Sequence, residues 1–154
     1  MIVTLGRRRV SKLSEELKGK EFGPFVYIVW RKKVEDFIEA TGDENPVYLD
    51  DEAAREAGYD GKLVPISFAS ATGSVALWSV IGALGVDLSR LLHGGHEFEF
   101  IKPLRDADFL TTTLRVADIV DKKKLRLYIL EGKTVNAAGE EVLRFKTTLI
   151  ERRG

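Results

Sequence analysis

The sequence predicts an α+β fold in which one antiparallel β-sheet wraps around one long central helix. The first observation is a stretch without charged residues, from Pro65 to Gly85, in a chain that is 31% charged. The second is the alternation of apolar and polar residues after this stretch, which is typical of antiparallel strands with one solvated face. A helix that is apolar on every side belongs in an interior. The alternating strands have the apolar faces that such a helix would cover.

The central helix is expected at about residues 65–85, because Pro65 suits a first helical turn and Gly85 suits a C-terminal cap. Small residues are interleaved with its apolar ones, so other backbones can approach it closely. The segment from Leu63 to Val86 is also about long enough to span a bilayer. We favour a core helix, since the segment is rich in Ser and Gly and the strands that follow need a partner for their apolar faces.

Length and composition indicate a single domain that spans residues 1–154. The 24 basic residues equal the 24 acidic ones, so bulk charge gives no argument for nucleic acid or an anionic membrane as a partner. The absence of cysteine excludes disulfides, thiolate metal sites and a cysteine nucleophile. No metal or cofactor is expected. The N-terminus lacks the apolar core of a signal peptide, which favours the cytoplasm, and a net charge of zero weakly favours oligomers.

The first half of the chain is expected to contain short helices and one strand. Residues 1–20 form a lead-in segment. A β-branched and aromatic run after Gly23-Pro24 predicts a strand, and apolar residues at helical spacing predict a helix that ends at Gly42. In order, the expected elements are a solvated basic run at Arg7–Arg9, a turn of helix within Ser14–Lys20, a strand over Phe25–Trp30, a helix over Val34–Thr41 and a short helix from Asp50 or Asp51 to Ala57.

Four alternating runs in the second half predict strands. Each run places its apolar residues on one face and its polar residues on the other. Turn residues separate the later runs and predict hairpins. The runs contain Phe98 and Phe100, Leu110 to Val116, Leu125 to Ile129, and Leu143 to Leu149, with turns at Asp121–Lys124 and Asn136–Gly139.

A polar connection between the two predicted helices is the best candidate for a functional site. It contains Asp43, Asn45 and Tyr48, and Pro46 pushes Asn45 out of the helical region. Polar connections of this kind often carry function. A purely structural interpretation is equally natural, because Asp, Asn and Pro are the residues that a tight turn uses, and a nearby tyrosine is often a packing residue.

The stretch from Phe37 to Tyr59, FIEATGDENPVYLDDEAAREAGY, resembles the signature of the MaoC-like hydratases and dehydratases, which have the hot-dog fold. Two later regions, Leu92–Phe100 and Lys102–Leu114, are also similar to that family. The resemblance therefore covers most of the chain. It implies an antiparallel sheet wrapped around a central helix, in agreement with the expectation from periodicity.

In active members of this family the signature reads roughly Gly-Asp-x-Asn-Pro-x-His. The Asp and His hold a water or a substrate hydroxyl, and they add or remove water across the double bond of an acyl thioester. Asp43 falls on the position of the family's Asp, and Tyr48 on that of its His. An unperturbed phenol has a pKa of about 10 and is a poor base at neutral pH. Asp43 alone would act as the base only if burial raised its pKa.

The resemblance has a second departure, because the family's His-Gly pair at the start of the central helix is replaced by Val64-Pro65-Ile66-Ser67. Together with the tyrosine, this is similar to the N-terminal-type half of the family. That half occurs in fused double hot-dog proteins and as the separate, non-catalytic subunit of the mycobacterial-type (3R)-hydroxyacyl-ACP dehydratase. By this resemblance the chain supports a dimer and shapes an acyl-chain tunnel.

The resemblance implies a catalytic role for Asp43 and Tyr48 and a substrate-binding site that includes Asn45, Pro46, Ser67 and Ala71. The substrate would be an acyl-CoA or acyl-ACP thioester, and the partner a second hot-dog chain with the intact Asp/His pair or a second copy of this chain. Two alternatives remain open. One is a catalytically silent subunit that binds acyl thioesters, and the other is a hot-dog thioesterase in which Asp43 activates water.

The chain has two histidines, His93 and His96, three positions apart at the entrance of a predicted strand. On an extended segment they are expected to point to opposite faces. A metal site would need further ligands, and the sequence has no such cluster. A catalytic role for either histidine would require the fold to bring it near Asp43.

Overall fold

The structure, a computed structural model, describes residues 15–153. Its strands form one five-stranded antiparallel sheet with the order β1-β3-β4-β5-β2. The α+β fold predicted from the sequence is therefore confirmed. The basic run at Arg7–Arg9 lies outside the described residues. The strands are β1 (Glu21–Ile28), β2 (Leu91–Phe100), β3 (Phe109–Lys122), β4 (Leu125–Val135) and β5 (Glu141–Arg152).

Five α-helices connect these strands. The first ends as predicted, because Gly42 adopts a left-handed conformation with φ of 64° and caps it. Val34 and Ile38 lie on its buried face. One short helix was not predicted, since the sequence at Pro46 was interpreted as a turn. The helices are α1 (Arg31–Thr41), α2 (Pro46–Leu49), α3 (Asp51–Glu56), α4 (Ala69–Thr72) and α5 (Ser74–Leu84).

The central helix differs from the single straight helix expected at 65–85. The helical path begins with a 3-10 turn at Ile66–Phe68, continues as α4 and bends by 42° before α5. Gly73 lies at the bend, where a Cβ would come within 3.3 Å of the Phe145 ring. Among residues 15–153 no single helix is long and apolar enough to cross a membrane, and only the bent pair taken together meets that length and composition.

The inner face of the sheet carries the core. Along β3, from Leu110 to Val116, every second side chain is buried, as the alternation predicts. On β4 the predicted face is wrong, because the buried side chains are Arg126, Tyr128 and Leu130, whereas Leu125, Leu127 and Ile129 lie on the other face. Helix α5 packs over β1 and β3 and contributes its own buried side chains, at Ala76, Val80, Ile81 and Leu84. The core therefore lies between this helix and one part of the sheet.

The opposite side of the central helix is exposed, which corrects the expectation that the helix is buried all round. Ile66 is 62% exposed, Val75 49% and Trp78 62%. Ser79, Gly82 and Ala83 are exposed on the same side of α5. We call Val75, Trp78, Ser79, Gly82 and Ala83 the uncharged stripe. It is a helix face without charge that the described part of the chain, residues 15–153, leaves exposed.

The outer face of the sheet is polar and ion-paired. One cross-strand row alternates in charge through Glu21, Arg115, Glu131, Lys146 and Glu97. Within it, Arg115 Nη2 lies 2.6 Å from Glu131 Oε2. Opposite charges on facing strands support the pairing. This face is therefore the solvated side that the alternation predicts for β2, β3 and β5, whereas on β4 it carries Leu125, Leu127 and Ile129 beside Glu131.

Candidate functional site

The connection after α1 holds Asp43 in a hydrogen-bonded turn. The Asp43 backbone N–H donates to the Ile38 carbonyl at 3.2 Å, which continues the C-terminal cap of α1. One carboxylate oxygen, Oδ1, accepts from the Asn45 backbone N–H at 3.0 Å. This is an Asx turn. The Asp43 side chain is half-buried.

Asn45 and Pro46 start helix α2. Asn45 Oδ1 accepts from the Val47 backbone N–H at 3.3 Å, so Asn45 is the N-cap, and Pro46 occupies the first turn. Both residues are exposed. Tyr48 follows on the same short helix, half-buried and packed against the core. The Asp-x-Asn-Pro sequence thus has a local structural role in addition to any role in catalysis.

Backbone hydrogen bonds attach this loop to the segment that leads into the central helix. The Val47 carbonyl accepts from the Leu63 N–H at 3.0 Å, and the Val64 N–H donates to the Leu104 carbonyl at 3.1 Å. Asp51 Oδ1 accepts from the Lys62 N–H at 2.9 Å, and this hydrogen bond lowers the pKa of the Asp51 carboxyl. The signature loop and the start of the central helix are therefore held together.

The start of the central helix contains the other two predicted site residues. Ser67 is exposed in the 3-10 turn, and its carbonyl accepts from Ser70 Oγ at 2.8 Å. Ala71 is half-buried and packs against the core. Pro65 is buried immediately before the turn, and its ring leaves no backbone N–H to donate. This end of the helix has one backbone donor fewer than it would with any other residue at that position.

Two concavities occur elsewhere on the described surface. One, of about 480 Å³, lies over the ion-paired outer face near Arg115, Glu131 and Lys146. The other, of about 380 Å³, lies near Arg31, Asp60 and Arg105. Neither is lined by Asp43, Asn45 or Tyr48. The signature loop is therefore defined by its hydrogen bonds and lies outside both concavities.

The two histidines lie on the same face, so the expectation that they point to opposite faces is wrong. The register of β2 against β5 shifts between His93 and Gly95, which is a β-bulge. The bulge places His93 opposite Leu149 and His96 opposite Thr147, with ring centroids 5.3 Å apart. The signal was present in the sequence, because glycine inside a strand often marks a bulge.

His96 is half-buried in an aromatic cluster. Its ring stacks on Phe98 at a centroid distance of 4.2 Å and lies 5.7 Å from the Phe145 ring. Its Nε2 is 3.2 Å from Thr147 Oγ1. Burial, and in addition the charge of nearby His93, lower the pKa of His96. Protonation of this imidazole is therefore disfavoured by its surroundings.

The side chains of the signature loop offer the Asp43 and Glu44 carboxylates, the Asn45 amide and the Tyr48 phenol. One oxygen of Asp43 is used in the Asx turn, and Tyr48 offers a hydroxyl where an imidazole would act as acid and base. Within residues 15–153, no group of three or more His, Asp or Glu side chains is arranged to hold a metal ion. The loop holds no imidazole to pair with Asp43 for proton transfer.

Comparisons with known proteins agree with this geometry. The family described as FAS1-like, dehydratase domain region, matches residues 16–145. A UPF0336 protein of Streptomyces avermitilis is 35% identical over 143 residues, which are 91% of this chain and 95% of the relative.

Two solved structures share the fold. The HadBC (3R-hydroxyacyl-ACP dehydratase) complex of Mycobacterium tuberculosis aligns with a TM-score of 0.74 and 24% identity over 87% of this chain and 96% of that chain. A MaoC-like dehydratase aligns with a TM-score of 0.81 and 24% identity over 92% of this chain but 44% of that chain. The architecture is the hot-dog fold of the MaoC-like dehydratases, and by its sequence the chain belongs to the FAS1-like dehydratase family.

Proposed function

We propose that this chain is the assisting subunit of an (R)-specific enoyl-thioester hydratase or 3-hydroxyacyl-thioester dehydratase that acts on CoA or ACP substrates. The observation that carries the proposal is Tyr48, which stands where the signature has its histidine while Asp43, Asn45 and Pro46 are retained. A phenol positions a substrate by hydrogen bonding but transfers protons poorly near neutral pH. The catalytic imidazole would then come from a partner, and a homodimer of this chain would be weakly active.

Two structural features support this role. The loop is attached to the start of the central helix by the hydrogen bond between Val47 and Leu63, so Tyr48 and Ser67 belong to one end of the molecule. Pro65 removes a backbone N–H where an acyl-transfer or hydratase site would use such donors to stabilise a developing oxyanion. Both features fit a subunit that helps to bind the acyl thioester and contributes little to proton transfer.

The kind of partner is also part of the proposal. The HadBC structure is a complex of a dehydratase, and a second neighbour, with 17% identity and a TM-score of 0.74, is the ChsH1-ChsH2 complex of Mycobacterium tuberculosis. This chain leaves the uncharged stripe of α5 uncovered. We therefore expect it to work as a dimer with a second hot-dog chain or with its own copy.

A second candidate function is a catalytically silent subunit that binds acyl thioesters. The hydrogen bond from the Asn45 N–H to Asp43 Oδ1 favours this candidate, because it uses part of the carboxylate that an active site would offer to water. Such a subunit would bind acyl-CoA without turnover, and Asp43→Asn would leave binding unchanged.

Hydration of crotonyl-CoA tests both candidates, followed as loss of the enoyl-thioester absorbance, with acyl-CoA binding measured in parallel. The purified chain should bind acyl-CoA and show weak or no hydration. Tyr48→His should raise hydration by about 10²-fold, the usual contribution of a positioned acid or base. Tyr59→Phe, at an exposed tyrosine outside the loop, is the matched control and should change neither measurement.

Each result separates the alternatives. A gain with Tyr48→His that is lost again in Asp43→Asn/Tyr48→His supports an assisting subunit with a retained Asp. Binding without a gain supports the silent subunit. Strong hydration by the wild type that survives both Asp43→Asn and Tyr48→Phe would show that the site assignment is wrong.

A further inference from the structure

The inner face of β2 is less covered than the rest of the sheet. Helix α5 packs over β1 and β3. On β2, His93 is exposed, His96 and Phe98 are half-buried, and Phe100 is 37% exposed. These four side chains, which we call the β2 inner row, form a surface of two imidazoles and two phenyl rings.

The bulge in β2 is required for this arrangement. A Cβ on Gly94 would lie 2.6 Å from Ile150 Cδ1, so a larger residue at the bulge would require the Ile150 side chain to shift. Without the extra residue, the strand would alternate regularly and His93 and His96 would point to opposite faces. The sequence thus places a glycine at the position that brings both imidazoles together.

Three titratable or charged groups face inward on the neighbouring strands β4 and β5: Arg126, Tyr128 and Glu151. The Tyr128 hydroxyl donates to Glu151 at 2.7 Å, and the Arg126 guanidinium donates to Asp121 and Glu15. Glu97 on β2 points to the outer face, where it lies near Lys146. The central helical segment, residues 65–85, has no charged residue. Within residues 15–153, neither imidazole has an ion pair with a carboxylate.

Two elements beside the β2 inner row are available for contact with a second protein. Among residues 15–153, β2 is an end strand of the sheet and pairs only with β5. The other end strand, β1, has a register shift between Phe22 and Phe25, and its Pro24 has no backbone N–H. Both features disfavour pairing with a further strand. The regular run Gly95–Phe100 of β2 and the uncharged stripe are therefore the available docking elements.

A second copy of this chain fits these elements. If two copies pair antiparallel through β2, about a two-fold axis perpendicular to the sheet, both helices lie on the same side. The β2 inner rows of the two copies then meet at one seam, beside the two uncharged stripes. The net charge of the chain is zero, so no net charge opposes association. On the outer side of the seam Glu97 and Glu99 would meet those of the second copy, which opposes pairing, and Lys146 and Arg144 on β5 partly neutralise them.

We propose that His93 and His96 make self-association of this chain sensitive to protons, so that two copies pair through β2 while both imidazoles are neutral and separate when they are protonated. The inference rests on the dimeric partner in the proposed function and adds its regulation. Covering the β2 inner row removes water from the imidazoles, and a buried imidazolium without a carboxylate partner is costly. Pairing also brings the imidazoles of both copies together, where positive charges repel.

The sign and size of the effect follow from linkage. Because the dimer disfavours protonated imidazole, the dimer binds fewer protons than the separate chains, and acidification favours separation. For each imidazole that must lose its proton before pairing, the dissociation constant of the dimer rises about tenfold for every pH unit below the pKa of that imidazole. His96, whose pKa is already lowered in the single chain, shows that the pocket prefers the neutral form.

Sedimentation velocity between pH 7.5 and 5.5 tests the proposal on the full chain. Wild type should be dimeric at pH 7.5, and its dissociation constant should rise at least about tenfold by pH 5.5. Because the chain has two histidines, His93→Gln/His96→Gln removes every imidazole. This variant should dimerise with the same dissociation constant at both pH values. Glu99→Gln, on the same strand but on the outer face, is the matched control and should keep the wild-type pH dependence.

Three results would overturn the proposal. They are a wild-type dissociation constant that does not change with pH, a double variant that retains the full pH dependence, and a wild type that stays monomeric at pH 7.5. The first two leave the proposed function intact, since the crotonyl-CoA assay does not depend on them. A monomeric wild type whose hydration appears only with another hot-dog chain would assign the β2 edge to that chain. Amide and methyl NMR spectra verify that the variants are folded.

Discussion

Strands β3 and β2 belong to the same sheet, yet their inner faces have different surroundings. On β3 the inner side chains Leu110, Leu114 and Val116 are fully buried under the central helix. On β2 the corresponding positions are His93, His96, Phe98 and Phe100, which are half-buried or exposed. The helix is long enough to cover one part of the sheet only. Buried polar side chains also occur on the other strands, at Thr112, Arg126, Thr134 and Thr147, so what distinguishes the inner face of β2 is its exposure, which makes it a candidate surface for a partner.

The largest expected difference between the two strands is in the cost of losing one apolar side chain. Leu114→Ala should reduce the free energy of unfolding by about 3 kcal/mol, because a fully buried side chain leaves a cavity. Phe100→Ala, at a position that is 37% exposed, should cost about 1 kcal/mol although it removes more atoms. Urea unfolding of both variants at low protein concentration measures the comparison.

The same pair of variants tests for a partner on β2. If a second copy covers Phe100, the cost of Phe100→Ala should increase with protein concentration, whereas the cost of Leu114→Ala should increase less. Equal costs for both variants at the lowest concentration would contradict the difference in burial between β2 and β3.

The boundary between covered and uncovered strands is formed by Phe145 and two glycines. A Cβ on Gly132 would overlap the Phe145 ring, and a Cβ on Gly73 would lie 3.3 Å from it. The ring is therefore held between β4 and the bend of the central helix, with little room to move. We expect Gly132→Ala to cost about 2 kcal/mol through overpacking.

Two further variants sharpen this expectation. Gly95→Ala on β2 has open space around its Cβ position and should be close to neutral. Phe145→Leu combined with Gly132→Ala should cost less than the sum of the two changes, since the smaller side chain makes room for the methyl group. Thermal unfolding measures all of these variants, and a neutral Gly132→Ala would show that the ring is free to move.

Much of this fold could be predicted because its signals are local. The alternation from Leu110 to Val116 indicates a strand and its buried face without knowledge of the rest of the chain. Gly42 indicates the end of α1 in the same way. The bend of the central helix was not predictable, because it depends on contact between Gly73 and Phe145, which are distant in sequence. The exposure of Trp78 was not predictable either, since a uniformly apolar helix gives no sign of which side stays uncovered.

The residues of the candidate site could be predicted from the sequence, but their hydrogen bonds could not. The sequence identified Asp43, Asn45 and Tyr48, and the structure shows that Asp43 and Asn45 both build the turn that precedes α2. Whether a carboxylate accepts a hydrogen bond from a nearby backbone N–H depends on the φ and ψ angles of the loop. Residue types alone do not determine these angles. The roles of Ser67 and Ala71 in substrate binding stay predictions. The paired histidines were missed because regular alternation was assumed across Gly94.

The smallest expected effect concerns the titration of His96 within the single chain. Its pKa is lowered by burial and, less strongly, by the charge of His93. The unfolded chain, with an ordinary histidine pKa of about 6.5, therefore binds more protons than the folded chain at mildly acidic pH. It follows that this histidine contributes stability above pH 6.5, which is lost as the pH falls through the folded pKa.

Melting temperatures at low protein concentration between pH 7.5 and 5 should fall more in wild type than in His96→Gln. The melting temperature of His93→Gln should fall by an intermediate amount. This variant removes the charge of His93, the smaller cause of the lowered pKa, and leaves the burial of His96 in place. Identical pH profiles for wild type and His96→Gln would mean that the imidazole is hydrated like a surface group, and the contrast between β2 and β3 would then be one of exposure alone.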